Sequence, residues 1–106
     1  MSLSTHVLDA VRGVPAAGLS VELFEMDGRP AGAGSTDADG RIPELATHLE
    51  PGRYRLRFDT GAYFTSVGAA TFYPEVVVAF EVTDAQAHYH VPLLLSPYAY
   101  STYRGS

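Results

Sequence analysis

Pro51-Gly52-Arg53-Tyr54-Arg55-Leu56-Arg57-Phe58 decides the architecture of this chain. Pro-Gly marks a turn. After it, Tyr54, Leu56 and Phe58 alternate with Arg53, Arg55 and Arg57, the period-2 pattern of a strand with one buried and one solvated face. The three arginines therefore read as a water-facing strand surface rather than a site. Upstream, Leu19, Val21 and Leu23 put a second strand in residues 19–26. Downstream, residues 76–82 are almost wholly apolar and read as a strand covered on both faces. Further on, Tyr89, Val91, Leu93 and Leu95 share one strand face, and His88, His90 and Leu94 share the other. Residues 98–103 are β-prone and follow the tight Ser96-Pro97 connection, while Ser4 to Asp9 make a short first strand. Turn residues punctuate these runs at Gly13-Val14-Pro15, Asp27-Gly28 and Asp39-Gly40. Short strands with such turns predict an all-β sandwich, with one short helix around residues 61–67.

The chain has 106 residues, the size of one domain over 1–106. It can bury roughly two thirds of its unfolded surface, which suffices for a core without staples. It has no Cys, so disulfides, a thiolate nucleophile and a thiolate zinc site are excluded, and a cytoplasmic setting fits. Residues 1–5 have neither a basic start nor an apolar run, so no secretory leader is expected. No apolar run nears the ~20 residues of a membrane span. The net charge of −5 opposes a nucleic-acid partner, which needs a basic face.

Histidines are the first candidates for chemistry. His6 points away from its apolar neighbour Val7. His88 and His90 are two apart and leave a strand on the same side. That spacing suits a metal pair with His6 as third ligand, a general base with a tuning neighbour, or a solvated pair on an edge strand. With no Cys and no acid beside them, no metal or other cofactor is expected. Asp37-Ala38-Asp39-Gly40 looks like part of a calcium loop, but alignment on Gly40 puts Ser35 and Ala46 where carboxylates are required. Asp39-Gly40 reads instead as a hairpin turn. Arg41 follows it, either as an exposed charge or as a fixed guanidinium for a planar, amide-rich or anionic ligand. Tyr98, Tyr100 and Tyr103 suit a subunit interface. Pro92 inside a strand predicts a kink or an unpaired backbone position.

Taken together, Thr5-His6-Val7-Leu8-Asp9, Asp39-Gly40-Arg41 and the run from His88 through Val91-Pro92-Leu93-Leu94-Leu95-Ser96-Pro97 to Tyr103-Arg104-Gly105-Ser106 resemble the transthyretin-like 5-hydroxyisourate hydrolases. The likeness spans essentially the whole chain. The terminal tetrapeptide is its most specific element, because the hormone-carrying transthyretins lack it. Ala99 departs from the family, which often has Gly between aromatic residues there. The resemblance implies a sandwich of two four-stranded sheets with one short helix. It implies a homotetramer, a dimer of dimers, with sites in a channel at the interface. It also implies a small-molecule substrate, 5-hydroxyisourate, whose ring is opened by hydrolysis without metal or cofactor. Carried over by motif, the catalytic residues are His6, Arg41, His90 and Ser106, and substrate binding falls to His6, Arg41, Tyr103, Arg104 and Gly105. The central strands and turns are equally similar to non-catalytic prealbumin-like modules that serve as binding or spacer domains. A small-molecule carrier would use the same channel. The two chain ends separate the readings, since neither alternative has reason to combine His6, His90 and the tetrapeptide.

Overall fold

The computed structural model describes residues 1–106. In chain order its elements are β1 (Ser2–Asp9), β2 (Val14–Pro15), β3 (Ser20–Glu25), β4 (Pro30–Ser35), β5 (Arg41–Ala46), β6 (Gly52–Phe58), α1 (Thr60–Ser66), β7 (Val76–Val82), β8 (His88–Ser96) and β9 (Ala99–Thr102). One sheet runs β2-β1-β8-β9, with β5 also paired to β1; the other runs β4-β3-β6-β7. The expected all-β sandwich with one short helix is what forms. The first sheet has five strands rather than four, because the two residues of β2 hydrogen-bond back onto the end of β1.

The core lies between the sheets, and the period-2 pattern predicts which side chains enter it. Leu19, Val21, Leu23, Leu56 and Phe58 are buried from one side, and Leu3, Val7, Leu93 and Leu95 from the other. Thr60, Tyr63 and Phe64 are the buried face of α1, and Tyr63 and Phe64 join the core. The arginine stripe of β6 faces water, where Arg57 pairs with Glu22 and Glu75 at 2.9 and 2.7 Å. One expectation fails: β7 is not covered on both faces. It is the edge of its sheet, and Val77 is 43% exposed. Its apolar run reflects an uncovered outer face, which hydrophobicity alone does not distinguish from a buried one.

The Asp39-Gly40 turn forms, but it does not close a hairpin. β4 pairs with β3 in one sheet and β5 pairs with β1 in the other, so the turn carries the chain across the sandwich. Asp37 Oδ1 accepts from the N–H groups of Asp39 and Arg41 and fixes the turn. Gly40 adopts φ +75°, and a β-carbon there would overlap the Val7 carbonyl oxygen.

Asp9 is 2% exposed and accepts from the N–H groups of Val11 and Arg12 and from the Tyr63 hydroxyl, the last at 2.7 Å. This carboxylate ties the β1–β2 turn to the helix. Burial, and then Asp9, push the Tyr63 phenol above its usual range. Tyr63→Phe leaves a buried carboxylate short of one donor. The expected loss is about 2 kcal/mol, seen as a lower denaturant midpoint with unchanged slope. A midpoint equal to wild type would show that Asp9 does not need this bond.

Candidate active site

Strand register builds the site on the outer face of the five-stranded sheet. Leu3, Thr5 and Val7 of β1 point into the core, so Ser2, Ser4 and His6 point outward. β8 runs parallel to β1 with Ser2 opposite His88, Ser4 opposite His90 and His6 opposite Pro92. On its other side β1 pairs with β5, and His6 lies opposite Arg41. Three strands thus bring two histidines of β8, one of β1 and the arginine of β5 to one patch. Arg41, His88, His90 and Ser106 line a cavity of about 260 Å³ together with Ser4, Thr5 and Pro43.

Hydrogen bonds fix the imidazoles. His6 Nε2 lies 2.9 Å from the Asp39 carbonyl oxygen, which can only accept, so Nε2 carries a proton and Nδ1 is left without that partner. The sheet-crossing turn therefore places both Arg41 and His6. His90 Nδ1 is 2.7 Å from Ser4 Oγ, and the same hydroxyl is 3.1 Å from His88 Nε2. The His88 and His90 rings stack with centroids 6.4 Å apart. Burial, then the charges of Arg41, His88 and His6, hold His90 below the usual histidine pKa, against a smaller opposing contribution from the Ser4 main chain. His90 is thus a neutral imidazole beside a guanidinium, with Nδ1 engaged and Nε2 free of protein partners.

The C-terminal segment meets β8 around Pro92. β9 pairs with β8 down to Leu93 opposite Thr102, and the same register resumes with Gly105 opposite His90. Pro92 sits in the gap, where it has no N–H to offer, and its carbonyl accepts from the Thr102 hydroxyl at 2.7 Å. The predicted unpaired position is real. Beyond the gap, Gly105 N–H donates to the His90 carbonyl at 2.9 Å.

His90, Arg41 and Ser106 therefore share one cavity, His6 is on the same face, and Gly105 backs His90. Tyr103 and Arg104 line a second cavity, of about 300 Å³, which His90 also lines, and there the Arg104 guanidinium sits 4.6 Å from the centre of the Tyr89 ring. Ser2 and Ser4 were not singled out by sequence, although period 2 counted back from His6 points to both. No three His, Asp or Glu side chains are grouped to hold a metal ion.

These features define a transthyretin-like sandwich carrying a histidine–arginine pocket suited to moving protons at a polar ligand. The chain belongs to the HIUase/Transthyretin family, whose model matches residues 3–105. It is 49% identical over 111 residues to the 5-hydroxyisourate hydrolase of Salmonella dublin, with 98% of this chain and 80% of that one aligned. The structure of the Klebsiella pneumoniae 5-hydroxyisourate hydrolase matches with a TM-score of 0.92 at 38% identity, covering 100% of both chains. Sea bream transthyretin in complex with thyroxine matches with the same TM-score, 0.92, at 36% identity, covering 99% of this chain and 95% of that one. Backbone shape is therefore common to an enzyme and a thyroxine-bound protein, and side chains must separate them.

Proposed function

We propose that this chain is a hydrolase that opens the six-membered ring of 5-hydroxyisourate to 2-oxo-4-hydroxy-4-carboxy-5-ureidoimidazoline, a step of urate degradation, by histidine-assisted activation of water. The observation that supports this reading best is His90, a neutral imidazole held by Ser4 next to Arg41 in a polar cavity. A carrier of an apolar hormone has no use for that arrangement.

The step divides among these residues. His90 Nε2 takes a proton from water as its oxygen attacks the ring carbonyl carbon. Arg41 faces the oxyanion that forms. The carbon–nitrogen bond then breaks, and the ring nitrogen takes a proton as the ring opens to a carboxylate. His6, its Nε2–H anchored on Asp39, offers Nδ1 to the substrate. Ser106 closes one side of the cavity. The working form in this reading is a cytoplasmic homotetramer, a dimer of dimers. The Cys-free chain asks for no oxidising compartment. Ligand sites usually bury most of their ligand, and a second copy supplies the missing wall over this open sheet face. Tyr103, 58% exposed, then completes the cavity from the neighbouring copy, and Arg104 anchors the C-terminal segment on Tyr89.

The test is the decay of freshly generated 5-hydroxyisourate, with the product identified. Purified protein accelerates decay and His6→Ala loses most of that effect; no acceleration by wild type overturns the reading. The pH profile is a sharper check. Burial, and then Arg41 of β5, His88 of β8 and His6 of β1, disfavour protonation of His90. The acid limb of kcat/KM therefore lies below the ordinary histidine value of about 6.5. Arg41→Gln removes one of these charges, so the limb moves up as the rate falls. A wild-type limb at or above the ordinary value would exclude His90 as the base.

A further inference from the structure

Four side chains of β1 and β8 form one hydrogen-bonded line that starts at the cavity. His90 Nδ1 meets Ser4 Oγ at 2.7 Å, Ser4 Oγ meets His88 Nε2 at 3.1 Å, and His88 Nδ1 meets Ser2 Oγ. Both end partners are set by the parallel register of the two strands. His90, Ser4 and His88 all line the cavity, so the line runs along its wall from half-buried His90 to exposed His88 and reaches solvent at half-exposed Ser2.

Its chemistry alternates imidazole and hydroxyl, groups that each donate and accept. Ser4 has one proton to share between two imidazoles, so it donates to one and accepts from the other. With both rings neutral, two orders satisfy every bond. In the first, His90 Nδ1–H donates to Ser4, Ser4 donates to His88 Nε2, and His88 Nδ1–H donates to Ser2. His90 Nε2 is then bare. In the second every bond is reversed, and His90 Nε2 carries the proton.

We propose that Ser4 and His88 are relay residues that switch His90 between these two orders during hydrolysis, so that it handles the water's proton without becoming an imidazolium. The relay rests on the hydrolase reading for its role, though not for its existence. As His90 Nε2 gains the proton of water, its Nδ1 proton passes to Ser4. The Ser4 proton passes to His88 Nε2, the His88 Nδ1 proton passes to Ser2, and the Ser2 proton leaves to solvent. One proton enters at the cavity and one leaves at the surface, and no covalent bond other than those to hydrogen changes along the line. Run backward, the same line delivers a proton through His90 Nε2 to the departing ring nitrogen and restores the first order. The physical reason lies in the surroundings of His90. A second positive charge beside Arg41 in a half-buried site is unfavourable, and the line avoids creating one.

Nitrogen-15 NMR of the substrate-free protein reads the line directly. His88 and His90 should both be protonated at Nδ1 in the resting protein, and Ser4→Ala should uncouple their tautomers while Ser4→Thr, which keeps the hydroxyl, should not. In turnover, Ser4→Ala and His88→Gln should each lower kcat by about ten-fold or more with little change in KM, and Ser4→Thr should retain it. The proton inventory in mixed light and heavy water should be bowed in wild type, where several protons move together, and linear in Ser4→Ala. Ser4→Ala with wild-type kcat and an unchanged bowed inventory overturns the relay, as does finding the two rings in opposite tautomers. Wild-type protein inactive on 5-hydroxyisourate overturns the hydrolase reading instead, and the tautomer measurement still decides whether the line exists.

Discussion

Replacing His90 by Ala lowers the rate of ring opening by about 10²- to 10⁴-fold, the usual contribution of a positioned general base. Folding survives the change, because His90 lies on the outer face of β8 while Tyr89, Val91, Leu93 and Leu95 fill the core from its inner face. Loss of activity therefore has to be read beside an unchanged unfolding midpoint. His6→Ala separates the two histidines. It also lowers the rate, yet an acid limb from His90 persists in the pH profile, whereas His90→Ala abolishes that limb. The asymmetry follows from the surroundings: the Asp39 carbonyl holds a proton on His6 Nε2, whereas burial and the neighbouring Arg41 hold His90 below its ordinary pKa. Added imidazole should restore part of the rate to His90→Ala, since the cavity it leaves still faces Arg41. A His90→Ala protein that hydrolyses at the wild-type rate would remove His90 from the reaction.

The sandwich was readable from alternation because each sheet has one wet face. Tyr54, Leu56 and Phe58 enter the core and the arginines between them do not. The same logic misreads β7, since an edge strand whose outer face is apolar has the composition of a doubly covered one. Asp39-Gly40 announces a reversal, but nothing in a turn says whether the next strand joins the same sheet or the opposite one. His6, Arg41 and His90 stand out by residue type, and register then explains why they meet. Ser4 stood out by neither type nor motif. Its importance comes from lying opposite His90 on a strand 86 positions away in sequence, a relation only pairing supplies. Tyr103 and Arg104 show the converse. They share a motif with Gly105 and Ser106, yet the chain's path past Pro92 puts them at a second opening, on the other side of His90, which lines both.

The C-terminal segment gives the second large effect, through the residue with no side chain. A β-carbon on Gly105 would overlap His90 Cδ2 and come within 3.2 Å of His90 Cγ and 3.3 Å of Pro92 Cγ. Neither neighbour can yield easily: Ser4 holds the His90 ring through Nδ1, and the proline ring is rigid. Gly105→Ala must therefore lift the segment off β8 or turn His90 away from Ser4. Either shift displaces a reacting group by a distance of the order that costs about 10²-fold in rate. Stability should hardly change, because Gly105 makes a single bridge outside the main ladder, its N–H donating to the His90 carbonyl. Deleting residues 103–106 should have the larger effect on rate, since it removes Ser106 from the cavity wall and bares one side of His90, while the core residues all lie upstream. The two variants together distinguish seating from contact. Gly105→Ala moves the pH profile of His90 as well as the rate, because it disturbs the ring itself. If both variants retain the wild-type rate and unfolding midpoint, the segment is not part of the site.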